Sequence, residues 1–204
     1  MATLKTSFIL LFFASVSLYA SGTDAIYQRL EHYYGRVEQY QARVSQENYW
    51  PQLELTKKSS GMLYYDASRL ILRYDDPDGQ LLRIDSSGVL IYDPASNQVM
   101  RTDAMDIQLK PMALLQTYWQ DAEISIPEQD KTHTLLQLKN ADDTVITCHI
   151  RDDHIYQLTF TDVKGNRVGY RFSDEILNQP IPDAVFDFEI TEKMNVIDNC
   201  QKGE

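Results

Sequence analysis

The stretch Cys148-His149-Ile150-Arg151-Asp152-Asp153-His154 places two imidazoles beside two carboxylates. Those residue types hold zinc or relay protons. Along a strand, however, alternation sends His149 and His154 to opposite sides. Asp152-Asp153 suits a turn, so no metal site is expected there. A second candidate is "YDDPDGQLLRID", Tyr74 to Asp85. Asp76, Asp78 and Gly79 fall in register with a calcium-binding loop. Tyr74 occupies the first ligand position, though, and Asp85 stands in place of the bidentate glutamate. A hairpin turn accounts for the segment better. Asp142-Asp143 lies in a polar, turn-like segment and reads as solvated. The chain has four histidines, no GxSxG and no cue pairing a cysteine with a histidine. No catalytic set emerges, and neither an enzyme nor a cofactor is expected.

The elements around these residues are mostly strands. Ile26, Leu30, Tyr33, Tyr34 and Val37 recur at helical spacing behind a capping Thr23 or Asp24. After Gly35 the period changes. Tyr40, Ala42 and Val44 alternate with Gln41, Arg43 and Ser45, which predicts a strand. A second strand runs through Leu53, Leu55 and "SSGMLYYD". Leu70, Leu72 and Tyr74 form a dry face, with Arg69 and Arg73 in water, and "DDPDG" turns that strand back. "SSGVLIYDPASNQVM" is another strand pair. Pro111 opens a helix that carries Met112, Leu115 and Trp119 on one side. Further strands are expected at Thr134–Lys139, Thr144–Ile150, Ile155–Thr161 and Arg167–Phe172. "AVFDFEI" is the last, with Phe186, Phe188 and Ile190 facing one way. About ten antiparallel strands and two helices predict one curved sheet with a partial helical cover. Periodicity alone leaves open whether the dry face meets a packed core or a cavity.

The first residues predict export. Lys5 precedes the apolar run "FILLFFASVSL", and Ala20 and Gly22 fit a cleavage site before Thr23. The expected organisation is a signal peptide, 1–22, and a single domain, 23–204. The run is short for a membrane span, which needs ~20 apolar residues. The formal charge is −11, and it becomes −12 without the leader because Lys5 is its only charged residue. Such a chain lacks the basic footprint of a nucleic-acid binder. Cys148 and Cys200, in an exported chain, suggest a disulfide pinning the tail to a central strand. No CxxC is present.

Taken in order, these segments resemble the LolA family of periplasmic lipoprotein carriers. "YQARVSQ" resembles the family's strand after its first helix, and "SSGMLYY" its Ser-Gly strand opening. "RLILRYDDP" resembles its aromatic-rich strand. "LLRIDSSGVLIYDPASNQV" matches its strand, turn, "YDP" and Gln-Val sequence. "KPMALL" resembles its lid helix, and "DVKGNRV" and "PDAVFDFEITEKMNVID" its late hairpin and its ending. The resemblance implies a mainly β (α+β) fold, an incomplete antiparallel β-barrel of about ten or eleven strands closed by a helical lid. It implies a cavity and lid lined by Leu63, Tyr65, Leu70, Leu72, Tyr74, Met112, Leu114, Leu115 and Trp119. The partners implied are the acyl chains of lipoproteins, an inner-membrane ATP-driven transporter that releases them, and an outer-membrane acceptor. The chain would be a periplasmic monomer. A lipid- or glycolipid-binding or lipoprotein-sensing module of the same fold is the alternative. Two departures stand out. Asp66-Ala67-Ser68 replaces an Arg-Pro whose arginine ties the lid shut in some members. Lys110 replaces the usual threonine cap of the lid helix.

Overall fold

The computed structural model describes residues 10–66, 68–103, 115–116 and 118–200, with side chains from residue 22 onward. Helix α1 (Leu10–Tyr34) leads into β1 (Tyr40–Trp50), β2 (Leu55–Tyr65), β3 (Leu70–Asp76), β4 (Asp78–Asp85), β5 (Gly88–Asp93) and β6 (Gln98–Thr102). After them come β7 (Glu123–Gln129), β8 (His133–Lys139), β9 (Val145–Arg151), β10 (His154–Thr161), β11 (Arg167–Leu177) and β12 (Asn195–Asp198). All twelve strands form one sheet in the order β12-β6-β5-β4-β3-β2-β1-β11-β10-β9-β8-β7. The strands pair antiparallel except β12, which runs parallel to β6. The sheet ends in two edges, β12 and β7, and does not close on itself. This is the mainly β, incomplete-barrel architecture expected, with more strands than expected.

Much of the acid excess sits in the turns that make these hairpins. Asp66, Asp85, Asp93, Asp130, Asp142 and Asp162 each accept a hydrogen bond from the backbone N–H two residues on. This is the local bond that makes aspartate a turn residue. Asp152 and Asp153 adopt left-handed φ values of 47° and 68° and form the turn expected between β9 and β10. Gly61 is required for a different reason. A Cβ there would lie 2.1 Å from the Arg73 carbonyl oxygen, at an irregularity where β2 meets β3.

Alternation divides the sheet side chains between two faces, and each face has its own cover. On the first, α1 buries Ile26, Leu30 and Tyr34 against Leu136, Leu138, Ile146, Cys148 and Ile150. The Tyr34 hydroxyl accepts a 2.8 Å hydrogen bond from the Ile155 N–H, beside a bulge in β10. A second bulge, at Asp174 in β11, turns Glu175 toward this helix face, where Tyr40 Oη donates to its Oε1 at 2.8 Å. Burial raises the Tyr34 and Tyr40 hydroxyl pKa values, with help from the Glu175 charge.

On the opposite face, residues 178–194 form a strap across β2–β6. Ile181 and Phe186 fill the space over Ile71, Leu81, Leu90 and Val99. Arg69 lies 4.2 Å over the Phe186 ring and bonds Asp66 and Asp183. Arg73 donates to the carbonyl oxygens of Val185 and Asp187.

Several expectations are corrected here. Arg69 and Arg73 do not stay in water, because the strap places carboxylate and carbonyl partners over them. "AVFDFEI" is not a strand: Asp183–Val185 is a 3-10 turn and the rest is irregular. Phe186 and Phe188 still face the sheet, while Ile190 is exposed. The helix does not start at Thr23 or Asp24, since α1 runs through both. Cys148 and Cys200 are free thiols. Cys148 is in β9 and Cys200 follows β12, with eight strands between them, whereas a disulfide needs its Cα atoms within about 7 Å. Burial pushes the Cys148 thiol up to about 12.

Two measurements check this packing. Phe186→Ala should cost about 3–5 kcal/mol in urea unfolding, the usual loss for a buried Phe→Ala, and should open residues 178–194 to protease. The second concerns Glu175, whose pKa burial raises above 4.5. The folded state therefore keeps this proton to a higher pH than the unfolded chain does. The stability it contributes is complete below the unfolded pKa and is lost as pH rises through the folded one. Glu175→Gln keeps an acceptor for Tyr40 and removes that loss. Thermal midpoints from about pH 4 to 8 should decline less in the variant; parallel curves would show that the carboxyl titrates normally.

Candidate functional site

The pairing register builds the site. Ala42 lies opposite Leu63, Leu63 opposite Leu72, Leu72 opposite Leu82, Leu82 opposite Ile91, and Ile91 opposite Met100. Met100 in turn lies opposite Ile197 on β12. A continuous apolar row therefore crosses seven strands on the helix face. Its inner end is buried, with Ala42 at 0% and Leu72 at 4% exposure, and its outer end is open, with Met100 at 40% and Ile197 at 39%. A neighbouring row joins Tyr40, Tyr65, Leu70, Ile84, Val89 and Thr102. Helix α1 packs over β7 to β10, at the far end from Met100.

The expected strand residues, Leu63, Tyr65, Leu70, Leu72 and Tyr74, fall on this face with different degrees of burial. Leu63 and Leu70 are half-buried members of the rows, and Leu72 is buried among them. Tyr74 also lies on this face and donates its hydroxyl to Gln46 Oε1 at 2.8 Å; burial pushes its pKa up to about 12. Tyr65 and Leu115 are fully packed core residues. Trp119 stacks at 4.7 Å on Tyr27 of α1, and Tyr118 lies edge-on to Phe160 of β10. The helical residues around Leu115 and Trp119 thus rest on α1 and the sheet, as a lid would. Met112 and Leu114, with Lys110 and Pro111, lie outside the described residues, as does Ala67.

Sequence reasoning missed Leu82, Ile91, Met100 and Ile197. The first three carry the same alternation as Leu70 and Leu72, and counting on through the three hairpin turns places them in the row. Ile197 carried no such signal, because β12 joins the sheet by a parallel pairing distant in sequence.

His149 and His154 stand on two strands joined by the Asp152-Asp153 turn, and their rings have different neighbours. His149 packs at 5.7 Å against His133 on the strap face, and burial lowers its pKa. His154 stacks at 5.8 Å on Tyr33 of α1. Two cavities open among the described residues. One of about 550 Å³ lies over β2, β1, β11 and β10, lined mainly by strap-face side chains beyond the strap itself. The other, of about 290 Å³, lies between Arg29 and the turns at Asp130–Thr132 and Asp152–Asp153. Both are polar.

Among curated proteins, none matches the chain in sequence. Among solved structures, an uncharacterized conserved protein from Thermus thermophilus superposes with a TM-score of 0.56 at 13% identity, covering 87% of this chain and 99% of its own. MucB superposes at 0.54 and 10% identity, covering 87% of this chain and 66% of that one. The Pseudomonas aeruginosa MucA/MucB complex matches at 0.50 and 12% identity, covering 81% and 60%. At these identities the likeness is one of fold. The family model of the outer membrane lipoprotein carrier protein LolA matches residues 35–189, and the chain belongs to the LolA family.

Proposed function

We propose that this protein is a periplasmic carrier that binds the acyl chains of lipoproteins and delivers them toward the outer membrane. The carrying observation is the apolar row from Ala42 to Ile197, buried at one end and open at the other. An acyl chain exposed to water costs ~0.8 kcal/mol per CH₂. A lipoprotein bearing such chains cannot cross an aqueous compartment unless they are covered. A face of Leu, Ile and Met offers apolar area with few polar contacts, so it can hold a tail without fixing it. Handing on then needs only an acceptor with a more apolar surface. In this reading an ATP-driven transporter loads the carrier at the inner membrane and an outer-membrane acceptor unloads it. The helix around Leu115 and Trp119 is the lid that moves aside. The leader, residues 1–22, is removed on export, and Thr23 becomes the start of the working chain.

A second reading, a protein-binding module of the same fold, is favoured by the likeness to MucB, whose complex with MucA is among the matching structures. A release assay separates the two. Adding purified protein to spheroplasts that carry an energised lipoprotein transporter should yield soluble complexes of lipoprotein and carrier. Ile91→Glu and Met100→Glu should cut the released lipoprotein severely while changing stability by no more than about 1 kcal/mol, as expected of partly exposed positions. Ile176→Glu, an exposed apolar residue on the opposite face, should release as the unmodified protein does. Full release by Met100→Glu and Ile91→Glu would remove the row from the binding role.

A further inference from the structure

The cavity of about 550 Å³ beyond the strap is lined by different chemistry from the apolar row. Its floor is Gly169 in the middle of β11, flanked by Thr159 of β10 and bordered by Ser45 of β1. Arg167 and Arg171 stand two residues to either side of Gly169 on the same strand face. Four strand residues set their Cα atoms about 13 Å apart. The volume falls in the range of small-molecule sites, but hydroxyls, amides and guanidinium groups provide the surface.

Half of the ten arginines pair with an acid among the described residues, and these two belong to the other half. Arg29, Arg43, Arg69, Arg83 and Arg101 each pair with an aspartate. Arg167 instead lies 4.7 Å over the Tyr49 ring, and Arg171 donates to Gln157 Oε1 at 3.2 Å. Among the described residues neither has a carboxylate within ion-pair distance. In a chain of net charge −11 this is a selective arrangement. The carboxylates that line the groove are Glu47, which lies opposite Gly169 and pairs with Lys58 at 3.3 Å, and Asp76 at the end of β3. Neutral partners hold each guanidinium in place, and a guanidinium fork matches phosphate oxygens bidentately. Between the forks, Ser45, Thr159 and Gln157 can exchange hydrogen bonds with hydroxyl groups.

We propose that this groove binds a compact polyhydroxylated molecule bearing phosphate, a phosphorylated sugar in its simplest form. It is a second site, on the other face of the sheet from the apolar row, and it does not depend on the carrier reading. The absence of a side chain at Gly169 makes room for the ligand. A Cβ there would meet Thr159 Oγ1 at 3.5 Å and the Glu47 carbonyl oxygen at 3.9 Å, ordinary contact distances, so the backbone has room for a side chain to begin at the floor. Valine also suits a strand.

The test is calorimetric titration of the purified full chain with glucose 1,6-bisphosphate, with amide shifts of Gly169 and Gln157 followed by NMR. Saturable one-to-one binding is expected. Arg167→Gln and Arg171→Gln should each weaken it about tenfold, the effect of losing a charge-assisted hydrogen bond. Gly169→Val should abolish binding without lowering the thermal midpoint. Arg151→Gln should change nothing: that arginine lies over Tyr156, outside the groove, and is likewise without a carboxylate partner among the described residues. The proposal is overturned by the absence of saturable binding up to about 10 mM. It is also overturned if Arg151→Gln weakens binding as much as Arg167→Gln, which would indicate only a diffuse positive field. Phosphatidylglycerol vesicles that bind through Arg167 and Arg171 while the sugar bisphosphate does not would make the face a membrane-docking surface instead.

Discussion

A sheet whose strands are apolar on both sides has to be covered on both sides, and this constraint organises the molecule. Strand β3 shows it most clearly. Leu70 and Leu72 face the helix side, while Ile71, at 0% exposure, faces the other. Leaving either side in water would forfeit about 25 cal/mol for each Å² of apolar area that could be buried. The chain has only a few non-strand segments with which to meet this demand. Helix α1 and the helical residues around Trp119 cover one side, and the strap covers the other.

The two covers work by different physics. The helix side is closed by large side chains, Leu30, Tyr34 and Trp119 among them, that interlock with one half of the sheet. The strap has little regular structure, so its backbone groups need partners of their own. Arg69 and Arg73 supply them, reaching across from β3 to the carboxylate of Asp183 and the carbonyls of Val185 and Asp187. Phe186 then serves as both a core residue and a seat for the Arg69 guanidinium. A segment held in this way seals the part of its face that lies over Ile71, Leu81, Leu90 and Val99. The helix side thins toward β6 and β12, where Met100 and Ile197 stay exposed. Each face thus has a buried core, and on the helix face that core gives way to exposed apolar residues at one end.

Charge is organised on the same plan. Many aspartates are placed at turns, where they bond the backbone, and five of the ten arginines are placed beside aspartates. Arg167 and Arg171 on β11 have no such pairing among the described residues, with Tyr49 and Gln157 as their neighbours instead. The overall charge of −11 thus hides a local positive groove. Net charge is a property of composition, whereas a site depends on where the charges are left uncompensated.

The sequence by itself determined the strands with clean alternation, the turns written in Asp, Pro and Gly, and the helix-face membership of Leu63, Tyr65, Leu70, Leu72 and Tyr74. Period and turn chemistry are local, so a local pattern suffices to reveal them. Strand β7 was not legible because Pro127 and its charged neighbours interrupt the pattern, and it survives as an edge strand that tolerates both. The strap was misread as a strand because the alternation of Phe186 and Phe188 is what any extended segment shows when it lies on an apolar surface. Only the tertiary structure decided that Arg69 and Arg73 clamp the tail, that Cys148 and Cys200 stand far apart, and that Tyr65 and Leu115 are core while Met100 and Ile197 are open. Each of those outcomes depends on a partner distant in the chain, and no local pattern of side chains records which distant segment will arrive.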